Sequence, residues 1–251
     1  MTELPNKQLR ILNWNIAKIN HSQYWQQEFS IIQRQQPHLC FFQEARLSWP
    51  EARTFSSGQD EPKRTSADFG WHFAPNLIYH RQKYAAGVLT ASVTPALTSV
   101  ALHSQHQEPF LQTRKLFLVT QYPIAQQRQT LWTINVHGIN FVRSHMFQSQ
   151  LHQIEQAITQ HSGPIILAGD FNTWRPKRMQ MLQSIIQRLG LKPVNFSSNC
   201  QNNLKRFLFS DPLDHIFYRG LSLRPHSAKV LNQLTSSDHK PMVAEFNIIS
   251  E

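Results

Sequence analysis

Asp170 and Asn172, in the run Gly169-Asp170-Phe171-Asn172-Thr173-Trp174, are the residues whose type and spacing point most directly to chemistry. They follow the apolar stretch Ile165-Ile166-Leu167-Ala168, which reads as a buried strand. On an extended backbone, residues two apart leave the same face, so an acid and an amide stand side by side at the strand end. Such a pair can orient a water and a phosphate oxygen together. An ordinary Asp/Asn turn produces the same pattern, so the run alone leaves both readings open.

Four further segments repeat the theme. Ile11-Leu12-Asn13-Trp14-Asn15-Ile16 reads as a strand carrying two amides, and Leu39-Cys40-Phe41-Phe42-Gln43-Glu44 as an apolar strand ending on a carboxylate. Leu131-Trp132-Thr133-Ile134-Asn135-Val136-His137 ends on an imidazole. Ser237-Asp238-His239-Lys240-Pro241 lies just before the apolar-rich stretch Met242 to Ile249. In each case a strand pattern delivers a metal- or proton-competent side chain near its end, which points to a shared cleft.

Taken in order, Trp14-Asn15, Gln43-Glu44, Asn135-Val136-His137, Gly169-Asp170-Phe171-Asn172, Leu213-Asp214-His215 and Ser237-Asp238-His239 resemble the endonuclease/exonuclease/phosphatase superfamily of metal-dependent phosphoesterases. The resemblance spans residues about 9 to 248. It looks closest to the bacterial YafD-like branch, through Asn140-Phe141 after the histidine and Thr173-Trp174 after the GDFN run. The fold it implies is a four-layered α/β sandwich, deoxyribonuclease-like, with two packed mixed β-sheets flanked by helices and the cleft at one end. One such domain is expected over residues 1–251.

The resemblance also implies roles. Glu44 is the expected metal ligand, with Asn15 in or next to the metal shell and Asp238 as a further metal-site acid. The ion is expected to be magnesium, with manganese as the alternative; magnesium favours hard oxygen ligands and keeps several waters, so one or two protein carboxylates suffice. Asp170 orients or deprotonates the attacking water, and Asn172 contacts the phosphate. His239, oriented by Asp214, faces the scissile phosphate, and His137 protonates or stabilises the leaving oxygen. Arg143, Arg175 and Arg178 are candidate phosphate contacts; solvated arginines are an equal reading. His215 is read as structural, and Asn13 is expected to serve the backbone. Ala17 stands where some abasic-site nucleases carry an acid, which weakens a repair role or an additional metal carboxylate.

The elements that must position these residues are legible as patterns. Gln23 to Gln36 reads as a helix with Tyr24, Trp25, Phe29, Ile31 and Ile32 as its stripe and Pro37 as its stop. Pro50 to Asp68 reads as an exposed loop. Gly87 to Val93 and Leu116 to Gln121 read as strands, with a loop over Gln105 to Gln112. Ser144 is placed to cap a helix bearing Phe147, Leu151, Ile154 and Ile158. Another helix is expected from about Pro176 to Leu189, with Gly190 just past its end.

Composition narrows the partners. At 251 residues the chain can bury a large core. Lys plus Arg exceeds Asp plus Glu by ten, and thirteen histidines add positive charge below neutral pH; such a surface attracts polyanions. Cys40 and Cys200 offer neither a disulfide framework nor a zinc spacing. No apolar run reaches a membrane span and Met1 to Arg10 lacks a signal-peptide core, so membrane insertion is not expected and a cytoplasmic location is. The leading expectation is a metal-dependent phosphodiesterase acting on DNA or RNA, with Trp49 and Trp174 as stacking aromatics. A phosphatase or phospholipase-type enzyme on a lipid or small molecule is the alternative, and an inactive polyanion binder the third reading.

Overall fold

Two parallel strand pairs, each bridged by a helix, organise the chain. The computed structural model describes residues 3–19, 25–48, 69–110, 112–207 and 210–249. Strand β1 (Leu9–Asn15) leads through helix α1 (Trp25–Arg34) into strand β2 (Leu39–Ser48), which lies parallel to β1. To their other sides pair β4 (Tyr84–Ser92) with β3 (Gly70–Tyr79), and β13 (Met242–Ile248) with β11 (Leu221–Leu223) and β12 (Lys229–Val230). The second sheet is built around β7 (Leu131–His137), which leads through helix α2 (Ser144–Ile158) into the parallel β8 (Ile165–Asp170). It is completed by β5 (Thr98–His103), β6 (Leu116–Tyr122), β10 (Asp214–Arg219) and β9 (Lys192–Pro193), in the order β5-β6-β7-β8-β10-β9.

Strand alternation divides the core. Leu9, Ile11, Leu39, Phe41, Met242 and Ala244 meet Leu131, Ile166, Ala168 and Ile216 between the sheets. The intervening residues Leu12, Trp14, Cys40 and Phe42 face outward and pack beneath Ile32 of α1. Ile165 and Leu167, with Ile134 and Val136, lie under Phe147, Leu151, Ile154 and Ile158 of α2 and Leu182, Ile185 and Ile186 of helix α3 (Pro176–Arg188). The continuous apolar run of β8 is thus explained by burial on both faces. Each fully buried aliphatic side chain contributes about 1.5–3 kcal/mol. The result is the expected four-layered sandwich of two mixed sheets flanked by helices.

Local differences have physical causes. The stripe of α1 includes Glu28, buried because its carboxylate accepts the Ser236 backbone N–H at 3.1 Å and the Ser236 hydroxyl. The helix is described from Trp25; Gln23 and Tyr24 lie outside the described residues, as do Trp49 and the loop expected over residues 50–68. Ser144 is not the cap of α2. Arg143 holds the extended cap position without a side-chain hydrogen bond, and Ser144 is the first helical residue. At the other end of the pattern, Pro176 opens α3 and Gly190 follows it at φ +65°, as expected.

Asn13 serves neither the backbone nor the cleft. Gln43 Nε2 donates to Asn13 Oδ1 at 3.0 Å and to Asn135 Oδ1 at 2.7 Å, and Asn135 Nδ2 donates to the Leu89 carbonyl at 3.0 Å. These fully buried amides bridge the sheets just below the strand ends. Paired buried donors cost little, whereas stranding one costs its whole desolvation, and among the described residues Gln43 Oε1 already stands without a partner. Asn135→Leu is therefore expected to destabilise the protein by about 2–3 kcal/mol, read as a drop in the urea midpoint at unchanged slope.

Candidate active site

The strand directions bring the polar residues to one end of the sandwich. In the second sheet, His137 pairs with Asp170 across the parallel β7–β8 ladder, and Asp170 pairs with Asp214 across the antiparallel β8–β10 ladder. Registered neighbours share a face. The side chains therefore form a row on the face whose preceding members, Ala168 and Ile216, line the inter-sheet core. Asn15 at the end of β1 and His239 just before β13 close the row from the opposite sheet.

Gly169 makes the row possible. It sits at φ +151°, and a Cβ there would lie 2.0 Å from the Val136 carbonyl oxygen. Only glycine lets β8 approach β7 this closely while turning Asp170 inward.

Glu44 arrives by a different device. The strand expected to end at this carboxylate continues to Ser48, and its register against β4 slips between Phe42 and Ala45. Glu44 occupies the bulge at φ 55°. In a regular strand it would follow Phe42 onto the outer face; the bulge re-aims it into the cleft. Its Oε2 accepts Lys18 Nζ at 2.9 Å, and its Oε1 lies 3.9 Å from His137 Nε2. Burial opposes ionisation of Glu44, but the charge and hydrogen bond of Lys18 draw its pKa below the ordinary carboxylate value.

The centre of the cleft is Asp170. Its Oδ2 accepts Asn15 Nδ2 at 3.1 Å and its Oδ1 accepts the Asn172 backbone N–H at 2.9 Å. Burial, reinforced by the Asp214 charge, raises its pKa to about 6. Asn172 is left-handed at φ 53°, a conformation asparagine tolerates. Its Nδ2 donates to the Gly138 carbonyl at 2.9 Å and its Oδ1 accepts Asn140 Nδ2 at 2.6 Å.

His239 and Asp214 form a close buried pair in the cleft, 2.7 Å between Nδ1 and Oδ2. Burial disfavours the imidazolium, yet Asp214 outweighs it and the pKa rises to about 10. With Nδ1 on the carboxylate, Nε2 faces the cleft as a proton-bearing donor. The pair is held by Ser237 Oγ, which accepts the His239 N–H at 3.2 Å, and by Trp14 Nε1, which donates to the His239 carbonyl at 2.9 Å.

His137 is the opposite case. Its ring is buried 3.9 Å from Asp170 Oδ2, and Lys115 Nζ lies 2.9 Å from its Nε2. Burial and the Lys115 charge push its pKa well down, so it is neutral. Lys115 in turn lies 3.8 Å from the buried Glu108 carboxylate. Neither Lys115 nor Lys18 carries a sequence signal: each is one cation in a polar stretch, in reach only through the loop path.

The remaining candidates separate. Asp238 is 61% exposed and pairs with Lys205 at 2.8 Å, at the rim, with Oδ1 4.0 Å from His239 Nε2. Arg143 and Arg175 border a groove beside Asn140 and Trp174. Arg178 is corrected as a phosphate contact: it is 1% exposed beneath the site, donates to the Ile139 carbonyl and lies over the Phe147 ring at 3.9 Å. It shares the buried face of α3 with Leu182, Ile185 and Ile186, four, seven and eight residues on, and that spacing turns it into the core. His215 is structural, stacked on Phe217 and bonded to Thr173 Oγ1 at 2.8 Å.

Among the described residues no three His, Cys, Asp or Glu side chains gather as a ready metal cluster. The hard oxygens of Glu44 and Asn15 at the cleft nevertheless suit a cation that retains most of its water.

This fold and this convergence of strand ends define a phosphoesterase-type scaffold, and sequence comparison agrees. The profile described as the endonuclease/exonuclease/phosphatase family matches residues 12–239, and the chain belongs to that family. A UPF0294 protein of Vibrio campbellii is 33% identical over 96% of this chain and 78% of its own length. A Beutenbergia cavernae endonuclease/exonuclease/phosphatase superposes with a TM-score of 0.72 at 16% identity, covering 96% of this chain and 72% of that one. Danio rerio TDP2, solved with a single strand DNA product, superposes at 0.63 and 15% identity over 96% and 99% of the two chains. No helix among the described residues is long and apolar enough to cross a membrane.

Proposed function

We propose that the protein is a metal-dependent phosphodiesterase that cleaves nucleic acid. The observation that carries this reading is the placement of Asp170 between two unlike histidines, a charged His239 on Asp214 and a neutral His137 on Lys115. Glu44 and Asn15 would hold a magnesium or manganese ion, completed by water, which supplies charge neutralisation at the phosphate. Asp170, with a pKa of about 6, is poised to accept the proton of the attacking water near neutral pH. Asn172 holds the carboxylate through its backbone N–H and Asn15 through its side-chain amide, while Asn140 braces Asn172. His239 donates from Nε2 to the phosphoryl oxygens as charge develops there. The leaving oxygen falls to the His137–Lys115 pair, in which the ammonium is the protonated member. The excess of ten positive charges supports a polyanionic substrate, and the related fold of TDP2 holds a single strand DNA product.

The pairing with Lys115 has its own consequence. Lys115→Met is expected to lower kcat about a hundredfold with little change in KM. It should also let His137 titrate at a higher pH, visible as a new limb in the kcat profile.

The reading is tested on a panel of single- and double-stranded DNA, RNA and a generic phosphodiester, with magnesium, manganese or chelator. Metal-dependent cleavage that Glu44→Ala abolishes while nucleic-acid binding persists is the expected result. Intact nucleic acids beside hydrolysis of a lipid or small phosphoester would move the assignment to that substrate class.

A further inference from the structure

A ladder of aromatic rings leaves the cleft on the Asn172 side. Phe110, Phe141, Trp174 and Phe207 follow one another with centroids 5.9, 6.3 and 6.3 Å apart and interplanar angles of 78°, 44° and 80°. Edge-to-face contact sets one ring's edge against a face of the next and leaves the other faces free of stacking. Phe110 is 82% exposed and Phe141 55%. The ladder is fastened to the centre at two points. Trp174 Nε1 donates to Asn140 Oδ1 at 2.8 Å, and Asn140 holds Asn172. At the far end Lys205, 5.8 Å from the Phe207 ring, pairs with Asp238 beside His239.

Phe141 is the telling member. Its backbone is left-handed at φ 53°, a conformation that glycine or asparagine holds at lower cost than a bulky side chain. It is also exposed, so neither local conformation nor core packing accounts for an aromatic ring there.

Cations line the same groove. Arg143 and Arg175 border it with Phe110, Phe141 and Trp174, and the Arg175 guanidinium lies 4.4 Å over the Trp174 ring. Arg143 and Arg175 are the N-cap residues of α2 and α3, neither making a side-chain capping bond, so the positive ends of two helix dipoles open here. Flat apolar faces alternating with positive charge match a strand whose bases and phosphates alternate.

We propose that this groove is a rail for unpaired nucleic acid, in which bases pack on Phe110 and Phe141 and phosphates run past Arg143 and Arg175 toward the cleft. The proposal rests on the reading of the site as a nucleic-acid phosphodiesterase and adds its strand preference. A duplex keeps its base faces stacked and has nothing to offer the rings. A lipid surface would use the exposed phenylalanines differently, and the ring–guanidinium packing and paired helix ends favour the strand.

The test is fluorescence anisotropy with a labelled oligonucleotide, unpaired or annealed to its complement, at fixed low salt in chelator. Wild type, Phe110→Ser and Phe141→Asn are compared; Asn suits the left-handed backbone, so the fold is kept. Unpaired strands are expected to bind at least about tenfold tighter than duplex, and each substitution to weaken only the unpaired complex by about tenfold. Hydrolysis of bis(p-nitrophenyl) phosphate with magnesium should be unchanged in both variants, and Phe141→Trp should restore binding. Equal affinity for unpaired and duplex forms, or variants that bind like wild type, would overturn the rail even if the small ester is hydrolysed. Absence of hydrolysis by wild type would instead sink the phosphodiesterase reading while the binding comparison still decides the groove. Binding to phosphatidylglycerol vesicles that both substitutions abolish, with oligonucleotide binding untouched, would assign the rings to lipid and overturn the proposal.

Discussion

Asp170→Asn is expected to lower kcat by about a thousandfold or more and to leave the fold intact. The buried carboxyl titrates near 6 in the folded protein because of burial and the Asp214 charge, against about 3.9 in an unfolded chain. Between those values the folded state binds more protons, so stability falls as pH rises through that window. An amide removes the charge and with it this loss. It still accepts one of the two bonds from Asn15 and the Asn172 N–H, so the variant should be no less stable than wild type at neutral pH. Chemical denaturation beside steady-state kinetics reads both quantities. A dead enzyme that is also markedly less stable would mean that Asp170 is a structural residue rather than a general base.

His239→Ala should cost both activity and stability. Removing the imidazole leaves Asp214 buried and unpaired, a loss of about 3–5 kcal/mol, and removes the donor aimed at the phosphate, worth about a hundredfold or more in kcat. The pH dependence carries the sign. The folded pKa of about 10 stands above the ordinary histidine value of 6.5 because Asp214 overcomes burial. Stability from the pair is therefore fully present below about pH 6.5. It is lost as pH rises toward 10. Unfolding free energies across that range should slope downward in wild type and flatten in both His239→Ala and Asp214→Asn. A wild-type profile without the slope would contradict a charged His239.

Much of this arrangement was legible because strands announce themselves through two-sided burial. The run Ile165 to Ala168 is apolar on both faces since one packs between the sheets and the other under α2 and α3, and its polar end could only emerge at a rim. The same holds for β7 and the first half of β2. Glu44 was readable as an acid after a strand but not as a bulge, because a register slip depends on the partner strand, and nothing local to Gln43-Glu44 encodes β4. Arg178 misled for the complementary reason: an arginine next to a motif reads as exposed, whereas its aliphatic stem and planar head lie over Phe147. Edge strands were harder still. β5 is largely exposed, so its residues carry little of the alternation that marks a buried face. The resemblance to a known family supplied the order of the motifs; the distances among Asp170, Asn15, Asp214 and His239 come only from the folded chain.

The central claim is that water attacks a phosphodiester under the direction of Asp170. Its most direct test is a single-turnover cleavage of a defined oligonucleotide in heavy-oxygen water with magnesium, products read by mass spectrometry. The account predicts one solvent oxygen in the newly formed phosphate group, at a rate that rises as pH passes about 6 and collapses in Asp170→Asn. Cleavage that proceeds at the wild-type rate without the Asp170 carboxylate, or product phosphate free of solvent oxygen, would contradict it.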